Sequence, residues 1–196
     1  DTIINTLLAG STKRMATFPN PPNADPDLKP YAYDPEKAKA LLKEAGYENG
    51  FKVDFWTGNG RLTNDVKIVQ AIADYLGAVG IEANVQVLDN TVYKSRAFAC
   101  QLPGMYLRSE GPEFSDAYDL QGIAPKYVAE TACGKWNNEE WNSQYDQLRA
   151  ETDPAKRREL SLKLQKEFYE EAPILMMYNE PDLYGVSKNI TFSPRI

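Results

Sequence analysis

The chain has 196 residues, of which 42% are hydrophobic, and 22 basic and 28 acidic residues give it a net charge of −6. This length predicts one hydrophobic core, or one core with a small appendage. The acidic balance disfavours a nucleic-acid partner, which would need a clustered basic surface, and no apolar run approaches the roughly 20 residues of a membrane-spanning helix. The chain also contains no histidine, the commonest general base and metal ligand. We therefore expect no catalytic residues, no metal site and no cofactor.

The first part of the chain predicts a short helix, a loop and a second helix. The opening helix is expected to end near Gly10. Residues 17–33 are rich in proline and show no periodicity, which is typical of a loop on the surface. Asp34 as N-cap and Pro35 at the first helical position then predict a helix that runs to about Ala45.

A strand–helix–strand unit follows. Residues 51–56 alternate apolar and polar side chains, as in a half-buried strand, and Gly58-Asn59-Gly60 is expected to break it. An apolar stripe predicts a helix over residues 62–79, and residues 82–88 predict a second strand. The short connections predict that the two strands are parallel.

A short helix is expected to begin near Asn90 and to lead into a third strand at Phe98–Leu102. Residues 103–138 are irregular and rich in aromatic side chains. A further helix is indicated by three apolar residues that share one face: Trp141, Tyr145 and Leu148.

The last helix is predicted to begin at Asp153-Pro154, a second capped start, and to end at about Glu171. Two strands, Ile174–Tyr178 and Leu183–Val186, are expected to close the chain, with a turn at Glu180-Pro181 between them.

Ligands of parallel sheets gather at the carboxyl ends of the strands, which draws attention to Thr57–Leu62 and Pro103–Pro112. The Gly58-Asn59-Gly60 segment could place backbone amides around an anion, with Asn59 as a candidate contact. It lacks the lysine and the longer glycine pattern of a phosphate-binding loop. A simple tight turn is therefore favoured.

The capped helix also carries a resemblance. Residues 31–47 are similar to the Tyr-Asp-Pro-x-Lys-Ala-x-x-Leu-Leu-x-x-Ala-Gly-Tyr block of the extracytoplasmic solute-binding proteins of ABC transporters, family 5 (the peptide/nickel-binding family). Further similar pieces stand in the family's order, at residues 3–10 and 27–30 before this block and at residues 50–53, 76–83, 88–93 and 153–174 after it. Together they span nearly the whole chain.

The resemblance implies an α/β fold, namely a periplasmic-binding-protein-like lobe with a central mixed sheet flanked by helices. Family members are usually more than twice as long, and this chain begins inside an expected helix without a start methionine or signal peptide. We therefore expect residues 1–196 to be the C-terminal ligand-binding lobe of a two-lobed protein whose N-terminal lobe is absent. The implied function is capture of a small-molecule cargo and delivery to ABC permease subunits. The implied location is periplasmic or extracellular, with lipid anchoring as an option.

The loop after the expected third strand carries the strongest indication of cargo. Residues 104–112 align without gaps on the family's Gly-Trp-x-Ala-Asp-Tyr-x-x-Pro, beginning at Gly104. In peptide-binding members the Trp lines the pocket and the Asp pairs with the ligand's amino group. Here Met105 replaces the Trp and Arg108 replaces the Asp, and Asn90 stands where another Trp often occurs. The residues that mark a peptide amine are therefore absent.

Arg108 has two interpretations. A guanidinium offers a planar fork for a carboxylate or phosphate, so Arg108 could select an acidic cargo. Alternatively, it pairs with nearby acids and only shapes the loop; the candidates are Glu110, Glu113 and Asp116. Both remain open at this stage.

Aromatic residues supply a second indication. Tyr106 and Trp136 are candidates for a cargo wall, and Trp136-Asn137-Asn138 is similar to the family's aromatic-x-Asn segment beside the cleft. Aromatic walls with amide edges also suit oligosaccharides, and oligopeptides remain a further option. Without the resemblance, a ligand-sensing or interaction domain would describe the chain equally well.

The two cysteines, Cys100 and Cys133, are too few for a zinc site. Because an exported protein matures in an oxidising compartment, they could form a disulfide. The alternative is that Cys100 is a small buried residue with a free thiol.

Overall fold

The computed structural model describes residues 1–19, 22–109, 136–181 and 184–193. The elements in this part of the chain are, in order, α1 (Thr2–Leu7), α2 (Pro35–Glu44), β1 (Phe51–Asn59), α3 (Asp65–Gly77), β2 (Ile81–Asp89), α4 (Asn90–Phe98), β3 (Met105–Tyr106), α5 (Glu139–Ala150) and α6 (Pro154–Glu171). The three strands form a parallel sheet in the order β2-β1-β3. This arrangement of helices around a sheet confirms the predicted α/β class.

The strand–helix–strand unit is longer than predicted. β1 and β2 pair in parallel from Phe51 opposite Ile81 to Asn59 opposite Asp89. The predicted break at Gly58-Asn59-Gly60 is therefore wrong for its first two residues. Gly58 stays in the strand because its missing side chain leaves room for a ring from α4, and only Gly60, at φ +83°, turns the chain away.

One hydrophobic cluster covers one face of the sheet. Phe55 of β1 packs against α1 and α3, where the buried side chains are Ile4, Leu8, Ile68, Val69 and Ile72. Met105 and Leu107 pack against the same cluster. Because side chains alternate along a strand, every second residue points to the opposite face.

A second cluster joins α5 and α6. The predicted stripe is confirmed, since Trp141, Tyr145 and Leu148 are all buried, and they pack with Leu164 and Phe168 of α6. Both helices begin with a side-chain cap, and the cap predicted at Asp153 for α6 is confirmed. The Asn138 side chain accepts from the amide of Trp141, and Asp153 accepts from the amides of Ala155 and Lys156.

Gln165 ties the proline-rich loop to α6. Its side chain is 1% exposed. Its amide nitrogen donates to the carbonyl of Asn23 and to Ser161, and its oxygen accepts from the amide of Asp25 at 2.8 Å and from the hydroxyl of Thr17. One buried side chain therefore satisfies polar groups of both the loop and the helix.

The predicted strand at Phe98–Leu102 is wrong. α4 continues to Phe98, and Cys100 then adopts a left-handed conformation with φ +56°. This turn cannot join a sheet. The third strand forms later, at Met105–Tyr106, which pairs with Phe55 and Trp56 of β1.

The two predicted closing strands are also not found in the described residues. Arg14 and Tyr178 form an isolated antiparallel bridge, and the amide of Met15 donates to the carbonyl of Met177. Leu175 is 65% exposed, so the apolar run at 174–178 is not a core strand. Leu183 lies outside the described residues. The sheet is therefore parallel throughout where it is described, rather than mixed.

None of the helices in the described ranges combines the length and the apolar character needed to cross a membrane.

Candidate functional site

The carboxyl ends of the three parallel strands meet at one edge of the sheet. Asn59 ends β1, Asn90 follows β2 directly, and Leu107 and Arg108 follow β3. Ligands of open parallel sheets bind at such an edge. Three of the residues predicted from the sequence, Asn59, Asn90 and Arg108, therefore share this edge.

Alternation along β3 decides which face each side chain takes. Met105 and Leu107 pack against the cluster of α1 and α3. Tyr106 and Arg108 therefore lie on the opposite face, where α4 covers the sheet. Asn59 is exposed, and the same alternation places it on the face of Phe55 instead.

Tyr93 is the central residue of this second face. It lies one turn into α4, is 6% exposed, and its hydroxyl donates a hydrogen bond to the carbonyl of Leu107. A methyl group at Gly58 would lie 3.2 Å from its ring. The ring therefore rests directly on the backbone of β1.

Burial and three neighbouring side chains, two of them arginines, influence the pKa of Tyr93. Burial raises the pKa of the Tyr93 phenol to about 12, and Tyr106 adds to this effect. The guanidinium groups of Arg108 and Arg61 act in the opposite direction, because positive charges favour the phenolate. Both guanidinium groups therefore lie within electrostatic reach of the Tyr93 hydroxyl. We call the following five residues the strand-end cluster: Arg61, Asn90, Tyr93, Tyr106 and Arg108.

The carboxylate of Asp65 stabilises the turn after β1. Asp65 is 5% exposed, and its carboxylate accepts from the amides of Arg61, Leu62 and Val66. Its amide partners are therefore not available to an external anion, which supports the tight-turn interpretation of residues 58–60. The same bonds explain why α3 starts at Asp65 and not at residue 62.

Asn90 carries a buried acceptor. Its Oδ1 is shielded from water and has no hydrogen-bond partner among the described residues. A methyl group at Gly58 would lie 3.3 Å from it. The Asn90 amide thus packs against the same glycine as the Tyr93 ring.

Gly104 and Met105, two further predicted ligand contacts, pack against other parts of the protein. Gly104 has φ +84°, and a Cβ there would lie 2.5 Å from the carbonyl oxygen of Asp54. Met105 faces the core. These two residues bring β3 against β1.

Trp136 and Asn137 lie with the helical pair instead of in the strand-end cluster. Trp136 contacts Trp141 and Phe168 edge-on, and its indole N–H donates to the carboxylate of Glu171. Asn137 accepts from the amide side chain of Asn142. The structure therefore groups Asn90, Tyr106 and Arg108, and places Trp136 and Asn137 in a second location.

Tyr93 and Arg61 were not predicted from the sequence as members of the site. Both follow a strand end closely, Arg61 after β1 and Tyr93 after β2. That position was the available signal.

Other predicted partners lie outside the described residues. These are the three acids proposed to pair with Arg108, at positions 110, 113 and 116, and Cys133. Cys100 is disulfide-bonded, and its pairing with Cys133 stays a prediction. Within the described ranges, no cluster of three or more Cys, Asp or Glu side chains could hold a metal ion.

A family model matches residues 1–123, and its description is bacterial extracellular solute-binding proteins, family 5, middle region. Among curated proteins, the glutathione-binding protein GsiB of Escherichia coli K12 is 29% identical over 171 residues, covering 83% of this chain and 33% of that protein. Heme-binding protein A of Haemophilus influenzae is 24% identical over 190 residues, covering 95% and 33%. The chain therefore spans about a third of the length of these relatives.

Solved structures give the same picture of the fold. The periplasmic binding protein DppA from Helicobacter pylori, in complex with the peptide STSA, superposes with a TM-score of 0.71 at 25% identity, over 92% of this chain and 35% of that one. The binding protein AgaA from A. tumefaciens R10, in complex with agropinic acid, gives a TM-score of 0.82 at 23% identity, over 91% and 38%. The fold of this chain thus matches a part, somewhat more than a third, of each of these periplasmic binding proteins.

Proposed function

Because this chain belongs to the bacterial extracellular solute-binding proteins of family 5, we propose that it forms part of a protein that captures a small acidic molecule and delivers it to an ABC importer permease. The observation that carries the proposal is the position of two arginines. Arg61 and Arg108 follow neighbouring strands at the edge where the strands end, and both favour the ionised form of the Tyr93 phenol.

Two guanidinium groups at one edge favour an anion. Each presents a planar fork of N–H donors that matches a carboxylate or phosphate. The Tyr93 hydroxyl remains protonated at neutral pH and adds no competing negative charge. The only buried carboxylate of the adjacent turn, Asp65, is already bonded to three backbone amides. Asp89, which ends β2 at the same edge, likewise has its carboxylate bonded to a backbone amide, that of Thr91. At the described part of this edge, Arg61 and Arg108 therefore supply the guanidinium donors for an anion.

One relative supports this chemistry. GsiB, at 29% identity, is named for glutathione, a tripeptide with two carboxylates. Glutathione is accordingly a suitable acidic probe for this chain. Agropinic acid, bound by AgaA, is a second acid, but at 23% identity AgaA supports the fold alone.

The other predicted contacts take secondary roles in this proposal. Tyr106 and Asn90 would border the cargo next to Arg108, and Asn59 would lie at the rim. Trp136 and Asn137 would serve as a separate wall that meets the cargo only in the closed protein. Gly104 and Met105 would act on the shape of the loop.

The proposal assigns the chain to one lobe of a larger protein. Residues 1–196 would form the C-terminal lobe, and an N-terminal lobe of the same polypeptide would close over the cargo by a hinge. The closed form would dock on the permease. The protein would work in the periplasm or outside the cell, with a lipid anchor in the full-length chain as an option. No bond of the cargo would be made or broken.

Neutral oligopeptides and oligosaccharides are the competing cargoes, and a ligand-sensing role without transport is the competing function. A thermal-shift screen of the full-length protein separates the cargoes. The panel is glutathione, succinate, a neutral amidated tripeptide and maltotriose. We expect stabilisation by the acids alone. Stabilisation by the amidated peptide or by the sugar, with none by an acid, would contradict an acidic cargo.

A second measurement tests the transport role. Small-angle scattering of the full-length protein with a saturating cargo should show a smaller radius of gyration, and mass spectrometry should recover the cargo unchanged. An unchanged radius with demonstrated binding would contradict closure. A converted cargo would contradict the non-enzymatic role.

A further inference from the structure

We propose that Tyr93 is a positioning residue, whose hydroxyl holds the backbone that presents Arg108 to the cargo. This inference rests on the proposed function for its effect on binding. Its structural part, the restraint of residues 107–109, is independent of any cargo.

The backbone of Leu107 is held from two sides. Its amide donates to the carbonyl of Trp56 at 3.0 Å, which continues the sheet one residue beyond β3. Its carbonyl accepts from the Tyr93 hydroxyl of α4. The first bond orients the peptide plane between Tyr106 and Leu107, and the bond from Tyr93 orients the next plane, which leads into Arg108.

The restraint matters because β3 is very short. Only Met105 and Tyr106 pair with β1 as a strand. Arg108 is exposed, so burial of its own side chain does not fix it. The bond from Tyr93 is therefore a point, one residue before Arg108, where the packed part of the fold holds the backbone of this loop.

Tyr93 is itself rigid. It lies in the first turn of α4, where Asp89 caps the helix by accepting from the amide of Thr91 at 2.8 Å. Its ring is packed on Gly58 and is almost fully buried. Its pKa of about 12 keeps the hydroxyl a donor throughout the physiological pH range. Such a group can restrain a neighbour without contacting the cargo.

The substitution Tyr93→Phe tests the restraint, because it keeps the ring and removes the hydroxyl. Tyr31→Phe is the control for loss of a tyrosine hydroxyl: the Tyr31 hydroxyl also donates to a backbone carbonyl, that of Tyr169 on α6. Both variants are made in the full-length protein.

The first readout is amide hydrogen exchange in the protein without cargo. We expect Tyr93→Phe to speed exchange in residues 103–109 by roughly tenfold, as expected for the loss of one buried hydrogen bond, while Tyr31→Phe leaves that segment unchanged. Equal exchange of this segment in Tyr93→Phe and wild type would overturn the proposal.

The second readout is a double-mutant cycle on glutathione affinity, measured by calorimetry. We expect Tyr93→Phe to weaken binding by roughly three- to tenfold in the wild-type background and to have no effect once Arg108 is alanine. Equal losses in both backgrounds would contradict action through Arg108. If wild type does not bind glutathione, the proposed acidic cargo fails at this probe, and the exchange measurement alone decides the role of Tyr93.

Discussion

The indole N–H of Trp56 donates a 2.7 Å hydrogen bond to the carbonyl of Pro103, on the sheet face that α4 covers. This bond holds the chain just before β3, and Tyr93 holds it just after. The two-residue strand β3 is therefore held by a side-chain hydrogen bond before it and another after it, and Arg108 follows directly after the second. The geometry of this strand depends on a close approach to β1 at Gly104.

We predict that Gly104→Ala destabilises the protein by more than about 2 kcal/mol. The new Cβ would lie 2.5 Å from the carbonyl oxygen of Asp54, at a backbone φ of +84°. The control is Gly77→Ala at the end of α3, where a Cβ meets nothing within 4 Å; stability there should be unchanged or slightly raised. Urea denaturation measures both. Equal stability of Gly104→Ala and wild type would show that β3 does not approach β1 as described.

We predict that Gln165→Met costs about 2–4 kcal/mol of stability, because it leaves several buried polar groups without partners. The amide of Asp25 and the carbonyl of Asn23 lose their bonds to α6. Gln147→Met, at an exposed position of α5, is the control and should change stability by less than about 0.5 kcal/mol. Urea denaturation again provides the measurement, and limited proteolysis should cut the 17–33 loop faster in Gln165→Met alone. If Gln165→Met lost no more stability than Gln147→Met, the role of Gln165 would be refuted.

We predict that stability falls between pH 10 and pH 12 in a manner that depends on Tyr93. The phenol ionises near pH 10.0 in the unfolded chain and near pH 12 in the folded one. Stability is therefore fully present below pH 10 and is lost as pH rises through this window, since the unfolded state releases its proton first. Chemical denaturation from pH 9 to 12 should give a shallower decline for Tyr93→Phe than for wild type. Parallel declines would contradict the buried environment of this residue. Tyr47→Phe, at an exposed position, serves as the control.

The disulfide of Cys100 gives a further prediction. We expect its partner to be Cys133, so that mass spectrometry without reductant finds no alkylatable thiol. In the chain-entropy model, a bond that closes a loop of this size stabilises by roughly 3–4 kcal/mol. Reduction should lower the unfolding temperature accordingly. Two thiols that react with an alkylating agent before reduction would contradict the pairing.

The elements that were predicted from the sequence share a local cause. The cap at Asp34, the cap at Asp153 and the apolar stripe of α5 each depend on residues of a single helix, a different helix in each case. The structure has all three. The parallel pairing of β1 and β2 followed from short connections around a single helix. Such features depend on neighbours in sequence, so the sequence is sufficient for them.

The features that were mispredicted depend on distant contacts. The apolar run at 98–102 resembles a strand in sequence. In the structure its first residue, Phe98, ends α4, and Cys100 forms a left-handed turn. Residues 174–178 have a strand-like composition, yet within the described part of the chain their partner is a single bridge to Arg14. Whether an apolar segment pairs is decided by what lies beside it, and this is not encoded locally.

The candidate site was predicted in part for the same reason. Asn90, Tyr106 and Arg108 were found because they follow strand ends or align with a family pattern. Tyr93 and Arg61 were missed because their role appears only when β1, β3 and α4 are brought together around Gly58.

The acidic-cargo proposal is tested most directly by the charge at position 108. Calorimetry with glutathione compares full-length wild type with Arg108→Ala and Arg108→Lys, with Arg96→Ala on α4 as a control for a lost positive charge. We predict that Arg108→Ala weakens binding by roughly ten- to a hundredfold, because a charge-assisted hydrogen bond contributes about 1.5–3 kcal/mol. Arg108→Lys should recover only part of this loss, since an ammonium cannot reproduce the guanidinium fork. Undiminished affinity in Arg108→Ala would contradict the proposal and leave Arg108 as a residue that only shapes the loop.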